Sequence, residues 1–177
     1  MKIKKTAMKT ALGGILCAQA LALSFLEGLL PALPFLPPGA KPGFANIITM
    51  FAADCIGSAS AFTVTLVKSA FVFVTRGASA GAMSLSGGLL SCLAAVLLLR
   101  FAKGRLGIIG ISVTAALCHN LGQLITSAFI TGSAKTLYYA PFLAVFGIVS
   151  GILTGMIFAA VLPALKKQKE FFYKSDH

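Results

Sequence analysis

The segment FANIITMFAADCIGSASAFTVTLVKSAFVFVT, Phe44 to Thr75, is apolar almost throughout, yet it carries Asp54 and Lys68 and is too long for one ordinary membrane crossing. A hydrocarbon core of about 30 Å needs roughly 20 helical residues. Whether this segment crosses once or turns back therefore decides the fold, and the distribution of basic residues answers the question. Lys2, Lys4, Lys5 and Lys9, then Arg100, Lys103 and Arg105, then Lys166, Lys167, Lys169 and Lys174 form three clusters between uncharged runs. Such clusters mark the cytoplasmic side of a membrane protein. Lys41 and Arg76 fall in the opposite connections, so the chain between them must enter and return. The segment reads as a hairpin of two short helices that breaks near Gly57 to Ser60, each arm about 15 residues and roughly 22 Å long.

Working outward, Gly77 to Leu99, Leu106 to Ala134 and Thr136 to Leu165 are long runs without Asp, Glu, Lys or Arg, and a fourth from about Ala7 to Leu30 carries Glu27 near its end. The whole chain is 58% hydrophobic and 11% charged, against about 25% charged for an ordinary soluble domain, and its mean hydropathy is +0.94. These numbers predict an all-α integral membrane protein. It has six transmembrane helices, the second and third a short hairpin, with both termini cytoplasmic. One membrane domain spans 1–165, and 166–177 form a basic cytoplasmic tail. The net charge of +11 does not point to nucleic acid, because the cations cluster at membrane flanks instead of forming a stripe along one face. Tyr138, Tyr139 and Tyr173 fit interfacial anchoring. A basic start followed by an apolar run and AQA at Ala18 to Ala20 offers a competing signal-peptide reading, but the run continues to Leu30, longer than the usual apolar core of a signal.

Small and polar residues carry the functional expectations. Lipid gives helices no hydrophobic reason to associate, so close approach through small residues matters. Gly147, Gly151, Gly155 and Ala159 recur every four positions in the last helix, and Ser84, Gly88 and Cys92 do so in the fourth; both stripes read as internal packing. Ala11, Gly14, Ala18 and Ala22 in the first helix suit packing or docking of a partner membrane protein. In TAALCHNLGQLIT, Thr114 to Thr126, the residues Ser112, Ala116, His119, Gln123, Thr126 and Ser127 share one helix face, with Asn120 at its edge. Ionisable and amide groups at membrane depth mark a pathway or a cavity. His119, Asn120 and Gln123 are therefore candidate ligand-binding residues, with Lys68 and Asn46 contributing from the hairpin. For Lys68, an ion pair with Asp54 and a ligand role are both open.

The connection from Glu27 to Asn46 holds five of the seven prolines, which makes it stiff. It reads as a spacer or as a lid over an outward-opening cavity. Enzyme signatures are absent: there is no P-loop, no G-x-S-x-G and no paired aspartate cluster able to hold magnesium and pyrophosphate. Cys17, Cys55, Cys92 and Cys118 form no CxxC pair, so neither a metal nor any cofactor is implied.

The stretches PGAKPGFANIITMFA, SLSGGLLS and GIIGISVTAALCHNLGQL, together with the six-helix length, resemble the family labelled both Gx transporter and heptaprenyl diphosphate synthase component I. That family is similar to the substrate-binding S components of energy-coupling factor transporters. The resemblance implies a bacterial vitamin- or cofactor-type uptake subunit that works with a coupling membrane subunit and ATPases. It implies a docking role for Ala11, Gly14, Ala18 and Ala22, and a gating role for the Pro31 to Gly43 loop with Glu27, Pro37, Pro38, Gly39 and Lys41. Pro42 and Phe44 depart from the expected aliphatic or Gly-rich spacing, and Lys68 stands where arginine is usual. The synthase label offers the alternative of a noncatalytic membrane component for prenyl diphosphate synthesis. A cavity with Lys68, His119, Asn120 and Gln123, and Lys41 at its mouth, favours a polar or anionic ligand.

Overall fold

The computed structural model describes residues 2–30, 41 and 43–174. Pro37, Pro38 and Gly39 of the expected gate lie outside the described residues, as do 175–177 of the tail. The described residues are predominantly helical: α1 Lys2–Leu29, α2 Asn46–Cys55, α3 Ser58–Arg76, α4 Ala78–Phe101, α5 Lys103–Thr131, a 3-10 turn Ala134–Tyr139, and α6 Ala140–Lys174. Among the described residues five segments are long and apolar enough to cross a membrane, and the protein is a multi-pass membrane protein.

The helix break expected in this segment is present, and the two helices it separates are unequal. The break falls at Ile56–Gly57, α2 has 10 residues and α3 has 19, where arms of about 15 each were expected. At about 15 Å, α2 covers only half of the hydrocarbon depth. It tolerates this because protein, not lipid, surrounds it: α2 packs against α1, α3, α4, α5 and α6. Met50 and Ala52 are buried, and the Phe51 ring meets that of Phe158 edge-on at a centroid distance of 6.0 Å. The space above its first turn is left to Gly43, Phe44 and the candidate site. A second difference concerns the tail, since α6 runs through Pro163 to Lys174 and the basic segment continues the last helix.

Small residues set the distances between the other helices. A methyl group added at Gly122 would lie 2.7 Å from the Gly87 Cα, which brings α4 and α5 into backbone contact. On the α5–α6 seam the same addition at Gly151 would reach within 2.5 Å of the Val113 Cα, and at Gly155 within 3.0 Å of the Ile109 Cα. The last-helix stripe is thus internal packing, and Gly88 of the α4 stripe meets Thr65 of α3 at 2.8 Å in the same way. Hydroxyl pairs join the seams, Ser112 to Thr154 at 2.9 Å and Thr126 to Ser86 at 2.6 Å. Gly77 alone links α3 to α4 at φ 90°, a left-handed conformation that only glycine adopts cheaply. That one-residue turn holds Arg76 close to the bundle instead of letting it extend away.

Candidate functional site

Four helices bring polar groups to one place. Ser24 and Glu27 come from the last turns of α1, Lys68 and Arg76 from α3, Met83 and Ser84 from α4, and His119 and Gln123 from α5; Lys41 and Gly43 close the top. Together they line a cavity with about 20 Å³ of space for a water-sized sphere, room for a single water molecule. His119 lies twelve residues, about 18 Å, from the end of α5, and Lys68 eight residues, about 12 Å, from the end of α3. Glu27, Lys68, His119 and Gln123 are all at most 6% exposed.

Their hydrogen bonds fix the chemistry that remains on offer. The Gln123 amide nitrogen donates to the Lys41 carbonyl at 3.3 Å and stands 2.6 Å from His119 Nε2. A carbonyl can only accept, so the NH₂ group faces it and His119 Nε2 must accept as well. The imidazole is then the neutral tautomer with its proton on Nδ1. Gln123 Oε1 and one Arg76 terminal nitrogen are buried without a partner among the described residues, and His119 Nδ1 lies beside the Gly87 backbone without a well-formed hydrogen bond. The site therefore presents two unmet donors and one unmet acceptor where water is scarce, an arrangement that costs about 1–3 kcal/mol per group until something binds.

Glu27 belongs to α1 and not to the loop. Its Oε1 accepts the Ala45 amide at 2.8 Å, supplying α2 with the cap that Ala45, lacking a side-chain oxygen, cannot give. Lys68 donates to Asn46 Oδ1 at 2.5 Å and interacts electrostatically with Glu27 and Arg76. With Asn46 opposite Lys68, Asp54 sits eight residues and about 12 Å further along α2, so the Asp54–Lys68 pairing gives way to Asn46. The Lys41 ammonium turns to the Leu30 carbonyl at 2.5 Å, and its own carbonyl meets Gln123 at the top of the cavity.

Of the expected ligand residues, Lys68, His119, Gln123 and Asn46 come together and Asn120 does not. Its amide donates to the Leu143 carbonyl at 2.8 Å, across the α5–α6 seam. Sequence reading missed Arg76, counted as a flanking cation, and Ser24 and Ser84, which are too common in membrane helices to stand out. Gly43, at φ 78°, sits on His119 so closely that a methyl group there would lie 2.7 Å from Cδ2. It separates this cavity from a second of about 20 Å³ lined by Asn46, Thr49, Ser91, Ser112, Ser150 and Thr154 among others. Among the described residues no three His, Cys, Asp or Glu side chains gather as metal ligands do.

On the first helix, Leu16, Ala20, Ser24 and Glu27 form the buried face, while Ala11, Gly14, Ala18 and Ala22 are all exposed. A methyl group added at Gly14 would meet nothing within 4 Å.

The fold is similar to a solved structure described as the S component of a bacterial ECF transporter, with a TM-score of 0.65 and 18% identity over 89% of this chain and 97% of that one. No curated protein matches the chain. The family model described as heptaprenyl diphosphate synthase component I matches residues 16–161. The chain belongs to that family.

Proposed function

We propose that this protein is the substrate-binding membrane subunit of an uptake system for a small cofactor- or vitamin-type molecule, working with a coupling membrane subunit and ATPases. The observation that carries the reading is the buried set of unmet groups, His119 Nδ1, Gln123 Oε1 and an Arg76 nitrogen, gathered at membrane depth beneath Lys41 and Gly43. A purely structural cluster satisfies its own members; this one leaves both a donor and an acceptor facing a cavity. The S-component-like fold supports the reading, and so does the exposed small-residue face of α1. Six crossings, with α2 and α3 as an unequal hairpin, put both termini on the cytoplasmic side and the site near the outer face. Lys41 and Gly43 lie on Gln123 and His119 as a closed lid, with Ala45 anchored by Glu27, and must lift for a ligand larger than water. The chain itself performs no catalysis.

The family description favours a second reading, a noncatalytic membrane component of a heptaprenyl diphosphate synthase. Affinity purification of the tagged protein from its native membrane separates the two. The first reading expects a coupling membrane protein and ATPases in the eluate, and substrate uptake that stops when ATP hydrolysis is blocked. A soluble prenyltransferase in their place would sink it.

A further inference from the structure

The charges facing the first cavity are unequal in number, and the imbalance says what the ligand carries. Among the described residues lining it, Glu27 is the one carboxylate, set against the Lys68 ammonium and the Arg76 guanidinium. Glu27 interacts with both cations and accepts the Ala45 amide; as a carboxylate it offsets one of the two. Arginine stays charged in any protein environment. The partner of Lys68 is Asn46, an amide that meets the ammonium's geometry but brings no charge. Lys41, the remaining cation on the lining, sends its ammonium outward to the Leu30 carbonyl. His119 is neutral, because its Nε2 accepts from Gln123. One positive charge is left without a counter-charge, and a buried nitrogen of Arg76 is left without a hydrogen bond.

The second cavity, across Gly43 and Asn46, has a different lining. It holds the hydroxyls of Ser91, Ser112, Ser150 and Thr154, the unpartnered Thr49 Oγ1, and no ionisable side chain. It suits the uncharged, hydrogen-bonding part of a molecule: Ser112, Ser150 and Thr154 are already bonded within the protein, and a prenyl chain would leave Thr49 Oγ1 unmet.

We propose that the site binds a singly charged anion, in the simplest case a carboxylate held by Arg76 and Lys68, while His119 Nδ1–H and Gln123 Oε1 engage an acceptor and a donor on the same molecule. A diphosphate brings more negative charge than the site can neutralise and is rejected. The proposal rests on reading this cavity as the ligand site of an uptake subunit, and it adds the charge of the ligand.

The test uses the purified full-length protein in detergent, with thermal unfolding measured against benzoate, its neutral isostere benzamide, and pyrophosphate at matched ionic strength. At about ten times its Kd, benzoate should raise the unfolding midpoint by about 3–5 °C, and benzamide should not. Arg76→Gln should abolish the shift, whereas Lys135→Gln, at an exposed cation, should keep it. Glu27→Gln retains an oxygen for the Ala45 amide but leaves two cations unopposed, so pyrophosphate should now stabilise more than benzoate. This variant keeps the test decisive if Arg76→Gln does not fold. Stabilisation of the wild-type protein by pyrophosphate above benzoate, or no response to benzoate, overturns the proposal. Benzoate binding without copurifying ATPases would leave the charge inference standing and remove the uptake reading; the reverse pattern would do the opposite.

Discussion

His119, Asn120 and Gln123 lie within five residues of one helix, yet their polar atoms have different fates. Asn120 spends its amide on the Leu143 carbonyl, while His119 and Gln123 bond to each other and keep one atom apiece facing the cavity. Asn120→Ala should therefore lower the unfolding midpoint, by about 1–3 kcal/mol for the abandoned carbonyl and seam, and leave benzoate affinity unchanged. His119→Ala and Gln123→Ala should each weaken benzoate binding five-fold or more, on the order of 1–3 kcal/mol, while costing the ligand-free protein little. A titration of all three variants decides between site and glue; equal stability losses with intact binding would make the cluster glue throughout. Gly43 supplies a second residue-scale expectation. Gly43→Ala combines a left-handed φ of 78° with a 2.7 Å contact to His119, and should destabilise by about 1–3 kcal/mol. Part of that loss should return in the Gly43→Ala/His119→Ala double variant, because the contact is then gone; a purely additive cycle would remove the lid-on-histidine packing from the account. The polar stripe of α5 was legible because 3.6-residue periodicity places Ser112, His119, Gln123 and Ser127 on one face. That Asn120 turns to α6 was not, since a residue at the stripe's edge can face either neighbour and only the packing of Gly147 against its amide, at 2.9 Å for an added methyl, decides which.

At the scale of elements, α1 and α2 explain each other. Among the described residues α1 touches α2 and α3 alone, and its buried line of Leu16, Ala20, Ser24 and Glu27 is spent on those contacts. The opposite line of Ala11, Gly14, Ala18 and Ala22 is exposed, and in lipid such a line lets another helix approach closely. Ala18→Leu should thus abolish copurification of a coupling membrane protein without shifting the unfolding midpoint. Ala20→Leu, at a position with no exposure, should overpack the α1 interface and cost about 1–3 kcal/mol. The outcome against this assignment is a retained partner with Ala18→Leu together with a lowered midpoint. A helix break between Lys41 and Arg76 could be read from those two cations, because placing both on one side asks the chain to turn back between them. The 10 and 19 residue lengths of the two helices could not. Hydropathy treats an apolar helix wrapped by protein and one facing lipid alike, and α2 is short because five helices shield it. Glu27 could be read as lying near the end of the first helical run, whereas its backbone partner, Ala45, eighteen residues on, could not.

For the molecule as a whole, eleven of the fifteen Lys and Arg residues fall at the two chain ends and in the Arg100 to Arg105 turn, and the helix order brings these three places to one end of the bundle. Glu27, Arg76, the Gly77 turn and the 3-10 turn at Ala134–Tyr139 gather at the other end. Cations resist translocation, so the proposed function puts the first end in the cytoplasm and opens the polar cavity, nearer the second end, outward. In that proposed orientation a site near the outer face can collect a dilute solute, and the basic inner end is left for energised partners. A cysteine placed at Lys135 or at Gly104, both exposed, reports the orientation once Cys17, Cys55, Cys92 and Cys118 are replaced by alanine. A membrane-impermeant maleimide added to intact cells should label the Lys135→Cys protein and spare Gly104→Cys. Opening the cells should expose Gly104→Cys to the same reagent. Labelling of Gly104→Cys before the cells are opened would invert the protein, turn its cavity toward the cytoplasm, and leave uptake without an outward-facing site.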